Sequence, residues 1–158
     1  MTIRKAEEKD IPRIIELLKQ VLEVHATIRP DIFISGTTKY GYDDVKEMLS
    51  IEDRPIYIAA DDEDVALGYA ICEIKETPAD ATNKVKFKQL YIDDLCVDEK
   101  TRGQHVGRAL FEHVKAEAKA MGCYEVTLAV WACNDRAEAF YEGLGMKTKE
   151  RIMEFILE

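Results

Sequence analysis

YIDDLCVDEKTRGQHVGRAL, residues 91–110, decides how the chain folds. Tyr91, Ile92, Leu95, Cys96 and Val97 favour a strand, residues 98–103 are turn chemistry, and from Val106 apolar residues return at helical spacing, as Val106, Leu110 and Val114. The stretch reads as a strand feeding a helix through a polar loop with Gly103 and Gly107. The first amides of such a helix lack intrahelical partners and its dipole adds partial positive charge there. The loop therefore suits an anion such as a diphosphate, and Arg102 and Arg108 add charge. Just upstream, Asp93 and Asp94 break the rule that strands avoid Asp. Alternation sends one of two adjacent carboxylates to each face unless a bulge re-aims it, and such violations collect where function is stored.

Toward the N-terminus, residues 2–5 predict a short strand, and Asp10 is expected to cap a helix with Pro12 in its first turn. Ile11, Ile14, Ile15, Leu18, Val21 and Leu22 then recur at three- and four-residue spacing, the apolar stripe of an amphipathic helix. A second helix is expected over 42–49. Residues 55–60 and 65–75 read as a hairpin around an acidic turn, with a polar loop over 76–86. Toward the C-terminus, the helix from about His105 ends at Gly122, suited to a left-handed cap. Residues 124–131 alternate Val126, Leu128, Val130 against Thr127, Ala129, Trp131, which predicts a strand buried on both faces. Asn134 or Asp135 caps a short helix ended by Gly143 and Gly145, and 146–149 and 151–157 are expected as the last two strands. With no repeat or linker to divide it, the chain reads as a single domain over 1–158, an α/β layer with helices on both faces of a mixed sheet.

The 31 acidic against 22 basic side chains give a formal net charge of −9, which disfavours nucleic acid as a partner and favours a cationic one. Cys72, Cys96, Cys123 and Cys133 form no C-x-x-C pair, and His25, His105 and His113 never join them at metal-ligand spacing. No metal site is expected, and the pattern suits a reducing compartment. The charged start and the lack of a membrane-length apolar run lead to the expectation of a cytoplasmic protein without a membrane partner.

Residues 102–107, Arg-Gly-Gln-His-Val-Gly, resemble motif A of the GNAT superfamily of acyl-CoA-dependent N-acetyltransferases. That signature is Arg or Gln, two variable residues, Gly, one variable residue, then Gly or Ala; His105 stands where its first Gly would be. Residues 134–146, NDRAEAFYEGLGM, are similar to motif B: Asn, a small residue, Phe-Tyr, then Leu-Gly and a hydrophobe. With the order of elements, the likeness covers the whole chain. It implies a GNAT-like mixed, mostly antiparallel central sheet flanked by helices on both faces, whose strands ending at Val97 and near Trp131 splay to admit a pantetheine arm. It further implies acetyl-CoA as co-substrate, held by Leu95, Cys96, Val97, Arg102, Gly103, Gln104, His105, Val106, Gly107, Arg108, Asn134 and Tyr141. The acceptor amine would meet the region between the first two strands, with His25, Arg29, Phe33 and Tyr40 as candidates, together with Tyr91. A homodimer is compatible with this reading.

An amine acceptor with a lysine-like pKa of about 10.4 costs about 4–5 kcal/mol to neutralise at pH 7, so a base is useful. By simple alternation Tyr91, Asp93 and Leu95 share one face and Asp93 looks into the acceptor pocket. Asp94 is the rival if a bulge shifts the phase. The resemblance makes Tyr141 the general acid for the departing thiolate, and the amide near Leu95 or Cys96 the group that polarises the acetyl carbonyl; packing is the other reading of Tyr141. Cys96 and Cys133 have no neighbouring base and read as small packed residues. The expected function is transfer of acetyl from acetyl-CoA to a primary amine of a small-molecule or peptide acceptor by direct attack. The alternative is a non-catalytic acyl-CoA binding or sensing domain.

Overall fold

A computed structural model describes residues 1–157. The chain runs β1 (Thr2–Lys5), a 3-10 turn (Glu8–Asp10), α1 (Ile11–Ile28), α2 (Tyr42–Leu49), β2 (Ile56–Ala60), β3 (Ala66–Glu76) and β4 (Lys88–Val97). A second 3-10 turn (Glu99–Thr101) leads to α3 (Val106–Ala120), β5 (Glu125–Leu128) and α4 (Asp135–Gly143). The five strands lie in sequence order in one sheet; the first three pairings are antiparallel and β4 pairs with β5 in parallel. This is the mixed, mostly antiparallel sheet expected, with helices on both faces.

Alternation in the strands divides the core in two. Ile56, Ile58, Tyr69 and Ile71 face α1 and α2, where Ile11, Ile14, Leu17, Leu18, Val45 and Met48 close over them. Tyr57, Ala59, Ala70 and Cys72 face the other way, against Val106, Leu110, Phe111 and Val114 of α3. Each fully buried aliphatic side chain contributes about 1.5–3 kcal/mol, so these two layers fix the helices on the sheet. Asp10 holds the N-cap position of α1 without capping it. Its carboxylate instead accepts the Glu7 amide at 2.7 Å and pairs with Arg4 at 2.8 Å, tying β1 to the turn.

At the far end of β4, Asp98 is buried and pairs with Arg13 of α1, while accepting bonds from Gln20 Nε2 and the Lys100 amide, both at 3.2 Å. Burial works against this charge, but the Lys100 amide, Gln20 and Arg13 together hold the carboxyl below its usual range. The loop leaving β4 is thereby fastened to α1.

Two expectations fail near the C-terminus. Residues 146–149 and 151–157 join no strand, and β5 covers only Glu125–Leu128 of the expected 124–131. No residue from 119 to 157 is fully buried, so β5 is an edge strand half-covered on both faces. Apolar alternation states a preference for extended chain; a strand also needs to pair with an edge, and this last segment pairs with none. Among the described residues, no helix is long and apolar enough to cross a membrane.

Gly68 of β3 marks how closely the sheet and α3 approach beside the end of β4. A Cβ there would sit 2.7 Å from the Cys96 carbonyl oxygen and 3.2 Å from Leu110 Cδ1. Because the nearer obstacle is backbone, Gly68→Ala is expected to destabilise the fold by about 1–3 kcal/mol in denaturant unfolding, the usual cost of overpacking.

Candidate active site

β4 does not keep simple alternation. Ile71 pairs with Asp94 and Cys72 with Ile92, so Asp93 is an extra residue, a β-bulge. Leu90 and Ile92 pack on the α3 side, and after the bulge Leu95 and Val97 do so again, while Cys96 joins the α1 layer. Tyr91, Asp93 and Leu95 therefore do not share a face, as alternation predicts. Both carboxylates turn toward α1 and α2: Asp93 bonds residues of the α1–α2 connection, and Asp94 lies opposite Ile71 of that layer.

The bulge coincides with a parting of strands. β4 and β5 pair only from Gln89 opposite Glu125 to Ile92 opposite Leu128, whereas β4 continues beside β3 as far as Val97 opposite Gly68. From Asp93 onward the β5-side edge of β4 has no ladder. Its end runs into the loop before α3. Ala109 N–H to His105 O, at 3.0 Å, is the first bond of that helix, which leaves the Val106, Gly107 and Arg108 amides ahead of it. Neither Arg102 nor Arg108 forms an ion pair among the described residues. The residues present thus suit a thioester coenzyme: an open strand edge for an amide-bearing arm and a helix N-terminus for its phosphates.

The motif glycines divide their work. Gly103 has φ +83°, and His105 adopts the left-handed region too, at φ +63°, with its side chain exposed. Gly107 serves packing. A Cβ there would lie 3.0 Å from Phe140 Cζ and 3.4 Å from Val97 Cγ2, so the two sequence motifs meet at this contact between α3, α4 and β4. Gln104 donates its amide to Thr101 O at 3.3 Å. Asn134 caps α4, its Oδ1 accepting the Ala137 amide at 3.3 Å.

The paired carboxylates differ in environment. Asp93 accepts from Lys39 Nζ at 3.0 Å and Tyr40 Oη at 2.6 Å, with Arg54 at 3.9 Å. Asp94 has no ion pair and keeps a little exposure. Burial pushes its carboxyl up to about 6; Lys39 favours the charged form and Asp93 opposes it. Two buried polar atoms lack hydrogen-bond partners among the described residues, Arg54 Nε and Tyr69 Oη, and both side chains belong to this cluster. Tyr141 is partly buried, its ring 5.0 Å from Phe140 and 6.4 Å from Phe111. Burial, then the Asp94 charge, push its phenol up. Cys96 is buried, donates to Leu17 O at 3.3 Å, and its thiol is pushed up to about 12 by burial, which keeps it un-ionised.

Of the expected acceptor residues, His25 and Phe33 lie with ring centroids 5.1 Å apart, and Phe33 meets Trp131 edge-on, also at 5.1 Å. Arg29 stacks over Trp131 at 6.0 Å but is already paired with Asp31 and Glu154, each at 2.7 Å. Burial, then the nearby Lys39 charge, lower the His25 pKa, which links this aromatic wall to the carboxylates. Tyr91 lies under Lys75 Nζ, 3.9 Å from the ring centre. Sequence reasoning missed Lys39, Arg54, Tyr69, Phe140 and Trp131 as site neighbours. One signal for the bulge was present: the apolar spacing Leu90, Ile92, Leu95, Val97 steps by two, then three, then two.

The fold has counterparts among solved structures. Over 100% of both chains, this one superposes on a mutant of the BH1408 protein of Bacillus halodurans at TM-score 0.95 and 33% identity. It shares the fold of the aminoglycoside N-acetyltransferase AAC(6')-Iy in complex with CoA, at TM-score 0.72 and 18% identity over 99% of each chain. The fold class is that of the acetyltransferases. Residues 18–146 match the acetyltransferase (GNAT) family, and the chain belongs to it. Among sequence relatives, the thialysine N-epsilon-acetyltransferase of Bos taurus is 27% identical over 153 residues, covering 90% of this chain and 82% of that one. The glucosamine 6-phosphate N-acetyltransferase of Arabidopsis thaliana is 37% identical over 59 residues, 37% of this chain and 38% of the relative's length.

His105 carries an unrelieved backbone cost, because a left-handed non-Gly residue loses about 1–2 kcal/mol while Gly's own entropy cost is about 0.5–1 kcal/mol. His105→Gly is expected to raise unfolding stability by about 0.5–1 kcal/mol, measured by urea titration.

Proposed function

We propose that the protein transfers the acetyl group of acetyl-CoA to a primary amine by direct attack. The observation that carries this reading is the bulge at Asp93, which sets two carboxylates at the point where β4 parts from β5. The end of β4 through Val97, Arg102 and the bare amides of residues 106–108 would hold the coenzyme. The amine would approach from the α1–α2 side, past His25, Phe33 and Trp131.

Asp94 is the base in this reading. Its carboxyl, raised to about 6, is charged at neutral pH and carries no ion pair to hold the charge back. It takes the ammonium proton directly or through water. The free amine nitrogen then attacks the thioester carbonyl carbon, the C–S bond breaks, the nitrogen sheds its surplus proton to solvent, and the thiolate takes a proton from Tyr141, which regains one from solvent. Tyr141 is protonated at neutral pH, as that role requires, and burial with the nearby Asp94 charge makes it a weaker acid than a free phenol, so its help depends on position beside the departing sulfur. Asp93, neutralised by Lys39 and held by Tyr40, fixes the wall of the acceptor side. A cationic amine fits the net charge of −9, and relatives named for thialysine and glucosamine 6-phosphate support an amine acceptor. A cytoplasmic setting belongs to the same reading, resting on cysteines that are all free.

The test is thiol release across an amine panel, beside calorimetric titration of coenzyme. Tight coenzyme binding with no thiol release from any amine would return the protein to a sensing domain. Tyr141→Phe is expected to keep coenzyme affinity and lower turnover about 10²- to 10⁴-fold in a chemistry-limited assay. The pH profile separates the carboxylates. Protonation below about 6 removes the base, so wild-type kcat/KM should fall on the acid side with that midpoint. Asp94→Asn should abolish that limb and recover partly at alkaline pH, where free amine is abundant; Asp93→Asn should retain the limb. Loss of the limb in Asp93→Asn alone would reverse the assignment.

A further inference from the structure

We propose that Lys39 is an acceptor for the protein's own acetyl transfer: with no free amine in the site, the chain acetylates this side chain in cis and so limits its own activity. The inference rests on the amine-transfer reading above and adds a second acceptor to it. In the β3 ladder Asp93 faces no residue, and it is here that β4 parts from β5. Lys39 Nζ reaches that position from the α1–α2 connection, donating to the Asp93 carbonyl at 3.3 Å and to its carboxylate at 3.0 Å. The Leu95 amide, one of the two expected to polarise the acetyl carbonyl, lies two residues further on, within about 7 Å along a strand. Among the described residues no other lysine nitrogen bonds β4; Lys9, Lys46 and Lys149 bind carboxylates elsewhere, and Lys86 binds carbonyls of its own loop.

An ion pair by itself only ties the connection to the sheet. What sets this one apart is that its cation is a primary ammonium, the group the proposed reaction consumes, entering from the side the acceptor would use. Lys39 also shares its surroundings with the base: burial raises the Asp94 carboxyl, and the Lys39 charge opposes that. Its own pKa is raised, because the bond and charge of Asp93 outweigh the burial that lowers it, so its nitrogen is deprotonated more reluctantly than a free amine's. Lys39 therefore reacts when the site is empty and yields to an acceptor in excess. Asp94, directly or through water, takes one ammonium proton and later returns it to solvent. The Lys39 nitrogen attacks the thioester carbon and the C–S bond breaks. The nitrogen sheds its second proton to solvent, and the thiolate takes one from Tyr141, which regains it from solvent. The product is an uncharged amide that fills the acceptor's path and leaves Asp93 without its closest cation.

The test is peptide mass spectrometry of the protein incubated with acetyl-CoA alone. Lys39 is expected to gain one acetyl group about 10²-fold faster than Lys115, although the Lys115 side chain is 54% exposed against 45% for Lys39, because only Lys39 has the site's help. The rate constant should not change on dilution, and Tyr141→Phe should slow acetylation at Lys39 without slowing it at Lys115. Preincubation with acetyl-CoA should lower later turnover of an amine by the fraction of Lys39 modified, and Lys39→Arg, which keeps the charge, should show no such loss. Equal rates at Lys39 and Lys115, a rate constant that rises with protein concentration, or the same loss in Lys39→Arg would each overturn the proposal. Acetylated amines with Lys39 unmodified would overturn it and leave amine transfer standing; acetylation of neither would overturn both.

Discussion

The site depends on one extra residue in β4. Without Asp93 as a bulge, Ile92 and Leu95 would fall on opposite faces, and one of them would leave the layer under α3. The bulge keeps both in that layer and turns both carboxylates to the other side. A bulged strand also bends and twists more sharply, and here the ladder to β5 stops at Ile92, immediately before the bulge. The opening, the carboxylates beside it and the direction in which the chain enters α3 are consequences of one local irregularity.

That irregularity also separates the chemistry of two adjacent, otherwise identical side chains. Asp93 is surrounded by Lys39, Tyr40 and Arg54 and is spent on holding the α1–α2 connection against the sheet. Asp94 faces Tyr69 and the neighbourhood of Tyr141, with burial and the Asp93 charge both opposing its ionisation. A buried carboxyl raised in this way beside an opening marks a candidate acid or base. Arg54 Nε, buried without a partner among the described residues, marks the same place, since a buried donor without an acceptor is costly to keep.

The strand, loop and helix of residues 91–110 were legible because each is a local pattern, and α2 appears at the bounds its turn residues predict. The bulge was half legible. The step of three between Ile92 and Leu95 encodes it, but the adjacent carboxylates draw the eye to alternation instead. Gly107 was assigned to phosphate approach, whereas its neighbour is Phe140, a contact between positions 33 residues apart that no local rule supplies. The C-terminal strands show the opposite limit. Alternation over 151–157 records the preference of a strand faithfully, yet pairing is a property of the edge it meets, and that edge is not encoded in the segment.

The bulge leaves Asp94 buried at the opening without a counter-ion. That arrangement is tested most directly by a carbon-13 NMR titration of the Asp94 side-chain carboxyl in the folded protein without ligand. A carboxyl so placed is expected to titrate with a midpoint of about 6. A midpoint near the ordinary aspartate value of about 3.9 would contradict it, because a carboxyl that ionises so readily is solvated or paired.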